Sequence, residues 1–129
     1  MNEEIMRYHS LFSIKDQKIC QLLAAGINTN LPDSQCKIWH GSPVWFIDEN
    51  PIVGYAKLKD CIQLLFWSGQ SFGVDGLQPV GKYKAAEVRY VESDEINSVQ
   101  LSQWLRLSVS IQWDYRNIVK RKGELLRLK

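Results

Sequence analysis

The stretch that decides the fold is Lys37-Ile38-Trp39-His40-Gly41-Ser42-Pro43-Val44-Trp45-Phe46-Ile47-Asp48-Glu49-Asn50-Pro51-Ile52-Val53-Gly54-Tyr55-Ala56-Lys57-Leu58. Three short runs, Lys37–His40, Val44–Ile47 and Ile52–Leu58, are rich in β-branched and aromatic residues. Gly41-Ser42-Pro43 and Asp48-Glu49-Asn50-Pro51 punctuate them with turn-forming residues, so the segment predicts a meander of antiparallel strands. Cys61-Ile62-Gln63-Leu64-Leu65-Phe66-Trp67 follows, and its almost unbroken apolar character predicts a central strand covered at least partly on both faces. A glycine-rich connection, Ser68 to Gly76, runs on through Pro79 and Gly81. One more strand is expected near Ala86–Val91, where apolar and charged residues alternate and one face should be wet.

On either side of this β region the period changes to that of a helix. Ser13 is a candidate N-cap with Asp16 three residues later, a variant of the capping box. Ile19, Leu22 and Leu23 then recur at helical spacing, and Gly26 offers a stop, so a helix is expected from Ser13 to Ala25. Asn28-Thr29-Asn30-Leu31-Pro32-Asp33 has the composition of a loop. At the other end Leu101, Trp104, Leu105, Ser108, Ile111, Tyr115, Ile118 and Val119 form one stripe at three- and four-residue steps. Ser98 is the candidate N-cap. Arg116, Lys120, Arg121 and Lys122 load the final turns with positive charge, and Gly123 supplies the stop, which predicts one long amphipathic helix. Helix, antiparallel strands and long helix, without alternating βα units, give an α+β domain with both helices packed on one face of the sheet.

The chain has 129 residues, the size of one domain, with its core expected over about residues 13–123. It is 45% hydrophobic and 23% charged, which places it outside the disordered regime. Sixteen basic and fourteen acidic residues leave a net charge of +2, which implies no nucleic-acid footprint over the molecule as a whole. Cys20, Cys36 and Cys61 are odd in number and lack CxxC spacing, so a reducing compartment is expected rather than a disulfide framework. No apolar run approaches membrane-spanning length and the first residues are acidic, which points to a cytoplasmic chain. A monomer or weak homodimer is expected.

Four motifs, Trp39-His40-Gly41-Ser42-Pro43-Val44-Trp45-Phe46, Asn50-Pro51-Ile52-Val53-Gly54-Tyr55, Leu65-Phe66-Trp67-Ser68-Gly69 and Gln112-Trp113-Asp114-Tyr115, together resemble the YdhG-like domain of unknown function. The resemblance spans roughly residues 19 to 123. It implies a fold similar to frataxin in broad architecture, and an intracellular iron chaperone as an alternative function. Hard iron cations favour clustered oxygen ligands. Yet Asp16 is the only acid between Ser13 and Ala25, and the pairs Glu3-Glu4, Asp48-Glu49 and Asp94-Glu95 are scattered. No metal ligand is therefore assigned, and iron is the one cofactor that the resemblance implies.

Other chemistry has less support. His9, His40 and the cysteines lack zinc-site spacing. Ser42 or Cys61 with His40 as base lacks a supporting motif, and Ser68–Gly73 matches neither a nucleophile elbow nor a phosphate loop. No catalytic residue is assigned. The basic C-terminus, Lys120 to Lys129, is accounted for by helix termination, so no nucleic-acid partner is expected. What remains is the aromatic content of the sheet. Clustered rings beside a Gly-Ser-Pro turn can line a groove, so a binding site for a small planar ligand or a partner's apolar side chain is expected around Trp39, His40, Trp45, Tyr55, Trp67 and Phe72.

Overall fold

A helix start needs acceptors for its first free N–H groups, and Ser13 supplies one: its hydroxyl accepts from the Asp16 N–H in the computed structural model, which describes residues 2–129. Helix α2 then runs from Ile14 to Asn30, longer than the sequence suggests. Gly26 does not end it. A Cβ there would lie 2.8 Å from Leu101 Cδ2, so this glycine permits close approach of a neighbouring helix. Asn28 and Asn30, which read as loop residues, instead serve tertiary hydrogen bonds and the helix end. Asn28 Oδ1 accepts from Trp45 Nε1 at 2.9 Å, and Asn30 Nδ2 donates to the Gly26 carbonyl at 2.9 Å. A short helix not foreseen in the sequence, α1 (Glu3–His9), precedes it, capped by the Asn2 side chain. It buries Ile5 and His9, ahead of the expected start of the core.

Strands β1 (Gln35–Trp39), β2 (Ser42–Ile47), β3 (Asn50–Lys57) and β4 (Ile62–Phe66) form the expected meander. The two-residue strand β5 (Gln78–Pro79) and β6 (Ala86–Tyr90) complete an antiparallel sheet in the order β1-β2-β3-β4-β6-β5. His40-Gly41 and Asp48-Glu49 are the two-residue hairpin loops, and all four residues have positive φ. Such primed turns match the twist of the flanking strands. A register shift between Trp45 and Phe46 marks a bulge.

Pairing Cys36, Trp45, Val53, Phe66 and Ala86 across the strands puts them on one face, and Tyr55, Leu64 and Val88 share it. That face packs against Ile19, Leu23 and Ile27 of α2 and against Leu101, Trp104 and Leu105 of helix α3 (Ser98–Ser110). Helices on one side of an antiparallel sheet make this an α+β fold.

The C-terminal helix is much shorter than its sequence pattern. Asn97, one residue before the expected cap, accepts from the Gln100 N–H, and α3 stops at Ser110. Its last turn is weakened from within. Ser108 Oγ donates to the Leu105 carbonyl and Ser110 Oγ to that of Arg106, and Ile111 is already extended. Beyond it the chain doubles back: Gln112 N donates to the Lys129 carbonyl at 2.8 Å and Asp114 N to that of Leu126 at 2.7 Å. The helical stripe is therefore fortuitous past Ile111, and Val119, assigned to its buried side, is 85% exposed.

This tail is held by one buried carboxylate and one buried amide. Asp114 accepts from Asn117 and pairs with Arg121 at 2.7 Å. Asn50, at the β2–β3 turn, donates to the Trp113 carbonyl at 3.0 Å and accepts from Arg116 N at 3.0 Å. Among the described residues no helix is long and apolar enough to cross a membrane.

Candidate functional site

Side chains alternate across a strand, so Trp39, Phe46, Leu65 and Trp67 lie on the face of the sheet opposite the helices. Among the described residues no helix covers this open face. Gly54 lies on the same face, opposite Val44 and Leu65, and carries no side chain. A Cβ at Gly54 would stand 2.5 Å from the Pro43 carbonyl oxygen, so β2 leans over it at a distance only glycine allows. The result is a hollow of about 160 Å³ bordered by Trp39, His40, Ser42, Ala56, Gln63 and Trp67. Its rings touch. Trp39 and Trp67 have centroids 6.1 Å apart at 41°, and the buried Phe46 meets Trp39 edge-on at 5.4 Å.

His40 owes its position to backbone geometry. It occupies the left-handed region with φ of 51°, where residues other than Gly, Asn and Asp sit at a cost. The turn lays its imidazole against Trp39, with 4.4 Å between ring centroids.

One border of the hollow is polar. Gln63 Nε2 and Arg89 Nε both donate to the carboxylate of Glu87, the latter at 2.8 Å. Burial pushes the Glu87 carboxyl upward, but the bonds from Arg89 and Gln63 outweigh it and hold the group below its ordinary value. Glu87 therefore stays ionised and fully engaged.

The six residues expected at the site divide between the open face and the core. Trp39 and Trp67 are half-buried and His40 is exposed, all three around the hollow. Trp45 is 1%, Tyr55 2% and Phe72 7% exposed, and their rings belong to the core. Tyr55 meets the hollow only through its backbone, since its hydroxyl shares a 2.6 Å hydrogen bond with His9 Nε2 beneath the sheet. Phe72 packs edge-on against Phe66 at 5.5 Å. Gly54, Leu65 and Gln63 border the hollow without having been expected there. Alternation counted from the two-residue turns would not have found Gly54, because it places Gly54 on the face of Trp45; only the bulge at Ile52 turns it toward Trp39.

The helices and the thiols offer little chemistry. Burial, reinforced by Asp16, pushes the Cys20 thiol up to about 12, and burial does the same for Cys36. Burial alone lowers the His9 imidazole. Among the described residues no three His, Cys, Asp or Glu side chains converge to hold a metal ion.

A helix-backed antiparallel sheet with an aromatic hollow on its open face defines the class: a small α+β domain with one exposed sheet surface. No protein-family model and no curated protein matches the chain. Among solved structures, its fold is similar to that of a DUF1801 family protein, YdhG from Bacillus subtilis. The two superpose with a TM-score of 0.54 over 93% of this chain and 92% of that one, at 11% sequence identity. The fold is thus YdhG-like, in line with the resemblance seen in the motifs.

Proposed function

We propose that this protein is a non-catalytic binding module whose site is the hollow on the open face of the sheet. The observation that carries this is the pair of half-buried tryptophans, Trp39 and Trp67, set beside a space that Gly54 keeps free. Its volume of about 160 Å³ selects the occupant. Pockets for drug-sized ligands run to roughly 300–1,000 Å³, whereas an apolar cavity of about 150 Å³ holds benzene. The hollow therefore fits one flat ring, either of a small molecule or of an aromatic side chain on a partner. His40 and Gln63 supply polar contacts at its edge.

Catalysis has no comparable support. Ser42 borders the hollow with His40, but among the described residues no hydrogen bond joins them, and nothing orients the imidazole as a base. Among the described residues the iron alternative has no converging ligand set either. Asp16 is paired with Lys57, Glu49 with Arg116 and Asp114 with Arg121, while Glu95 accepts from the Val91 and Glu92 N–H groups. Micromolar ferrous iron binding in a calorimetric titration would restore it.

The hollow is tested by titrating the protein with planar single-ring fragments such as phenol and pyridine and following the indole N–H signals by NMR. The signals of Trp39 and Trp67 should move, while those of the buried Trp45 and Trp104 stay in place. Fragments that leave Trp39 and Trp67 unperturbed at millimolar concentration would refute the site.

A further inference from the structure

Helix termination does not account for the basic C-terminus, because α3 stops at Ser110. Residues 113–129 hold six basic and two acidic residues, whereas residues 1–112 hold ten basic and twelve acidic ones. The positive charge is therefore segregated into the non-helical tail. One of the two acids, Asp114, is already neutralised by Arg121.

The tail does not float free of the fold. Trp113 Nε1 donates to Ser71 Oγ at 2.9 Å, and Trp113 pairs with Arg127 in an isolated antiparallel bridge. Lys84 Nζ and the Arg127 guanidinium lie 4.8 Å and 5.8 Å from the centre of the Trp113 ring. Tyr83 stands edge-on to Tyr115 at 6.4 Å, with Lys82 Nζ 5.1 Å from its own ring centre. The backbone at Gly123 passes against the Tyr83 hydroxyl, which brings the exposed Lys122 alongside. Half-buried rings thus alternate with cations. Among the described residues Lys82, Lys122 and Arg127 form no ion pair.

We infer that this surface, separate from the aromatic hollow, docks a single-stranded nucleic acid. Unpaired cations meet phosphates, and a ring fixed by its own hydrogen bond gives an unstacked base a surface to lie on. A duplex would present its phosphates but hide its bases. An anionic membrane would need apolar side chains on the same face. Leu126 and Leu128 are exposed, but they alternate with Arg127 along the extended tail and so lie away from the Trp113 side.

The test is fluorescence anisotropy with a labelled oligothymidylate of about 20 nucleotides. Binding should fall in the micromolar range at about 50 mM salt and weaken as salt rises, by roughly 0.7 log units per log unit for each phosphate neutralised. The triple variant K82A/K122A/R127A should bind about tenfold more weakly or worse and flatten that slope by about 2. The double variant K82A/K122A, which touches no ion pair, keeps the test valid if loss of Arg127 loosens the tail. The charge-matched control K18A/K59A should bind within about twofold of the unaltered protein. No binding at about 100 µM, equal losses in the control, or tighter binding to phosphatidylserine vesicles than to the oligonucleotide would each overturn the assignment.

Discussion

Replacing Asp114 with Asn tests what closes the C-terminal end of the fold. Asp114 is 3% exposed, accepts from the Asn117 backbone and side chain, and lies 2.7 Å from Arg121 Nη1. Removing one member of a buried ion pair costs about 3–5 kcal/mol, mostly because the other charge is stranded. The Arg121 side chain is 30% exposed, so water recovers part of that loss, and the expected cost is about 2–3 kcal/mol. For a domain of this length that lowers Tm by about 6–12 °C. The effect also has a pH signature. Hydrogen bonds from Asn117 hold the Asp114 carboxyl below its ordinary value, with burial opposing and Arg121 reinforcing them. A depressed carboxylate contributes stability that is fully present above the unfolded pKa, near 3.9, and is lost as pH falls through the folded one. The difference in Tm between parent and D114N should therefore be constant from about pH 5 to 7 and shrink below about pH 4. Thermal melts followed by circular dichroism across that range measure both. A shift below about 2 °C at neutral pH, or a difference that persists undiminished in acid, would refute the idea that this carboxylate fastens the tail.

Leu105 is fully buried between α3 and the sheet, and L105A should cost about 2–5 kcal/mol in urea unfolding, while I111A, past the helix end and half-buried, should cost distinctly less. G54A should lose about 1–3 kcal/mol, because its Cβ would meet a backbone carbonyl that cannot rotate away; unchanged stability would show that β2 can yield there. In the native protein at about pH 8 Cys20 and Cys36 should resist alkylation, since burial pushes both thiols up to about 12, and both should label at once in urea when followed by mass spectrometry.

The local parts of this fold are legible in the amino-acid sequence. The meander, the Ser13 cap and the α+β class follow from side-chain period and turn chemistry, which act over a few residues. The two-residue turns at His40-Gly41 and Asp48-Glu49 fix the register at each hairpin end, but the division of the aromatic residues between two faces also needs the bulge at Ile52, which reverses the alternation and brings Tyr55 to the face of Trp45. Tertiary structure decides what depends on distant partners. Gly26 looks like a helix end because glycine serves both as a stop and as a point of close approach, and only Leu101 distinguishes the two. The stripe from Leu101 to Val119 has helical spacing throughout, yet the chain leaves the helix at Ser110, where Asn50, Ser68 and residues 126–129 supply hydrogen bonds that the helix cannot. Periodicity records which residues prefer burial. It does not record whether a partner from another part of the chain will be there to receive them, and at the C-terminus that partner sets both the fold and the surface left facing solvent.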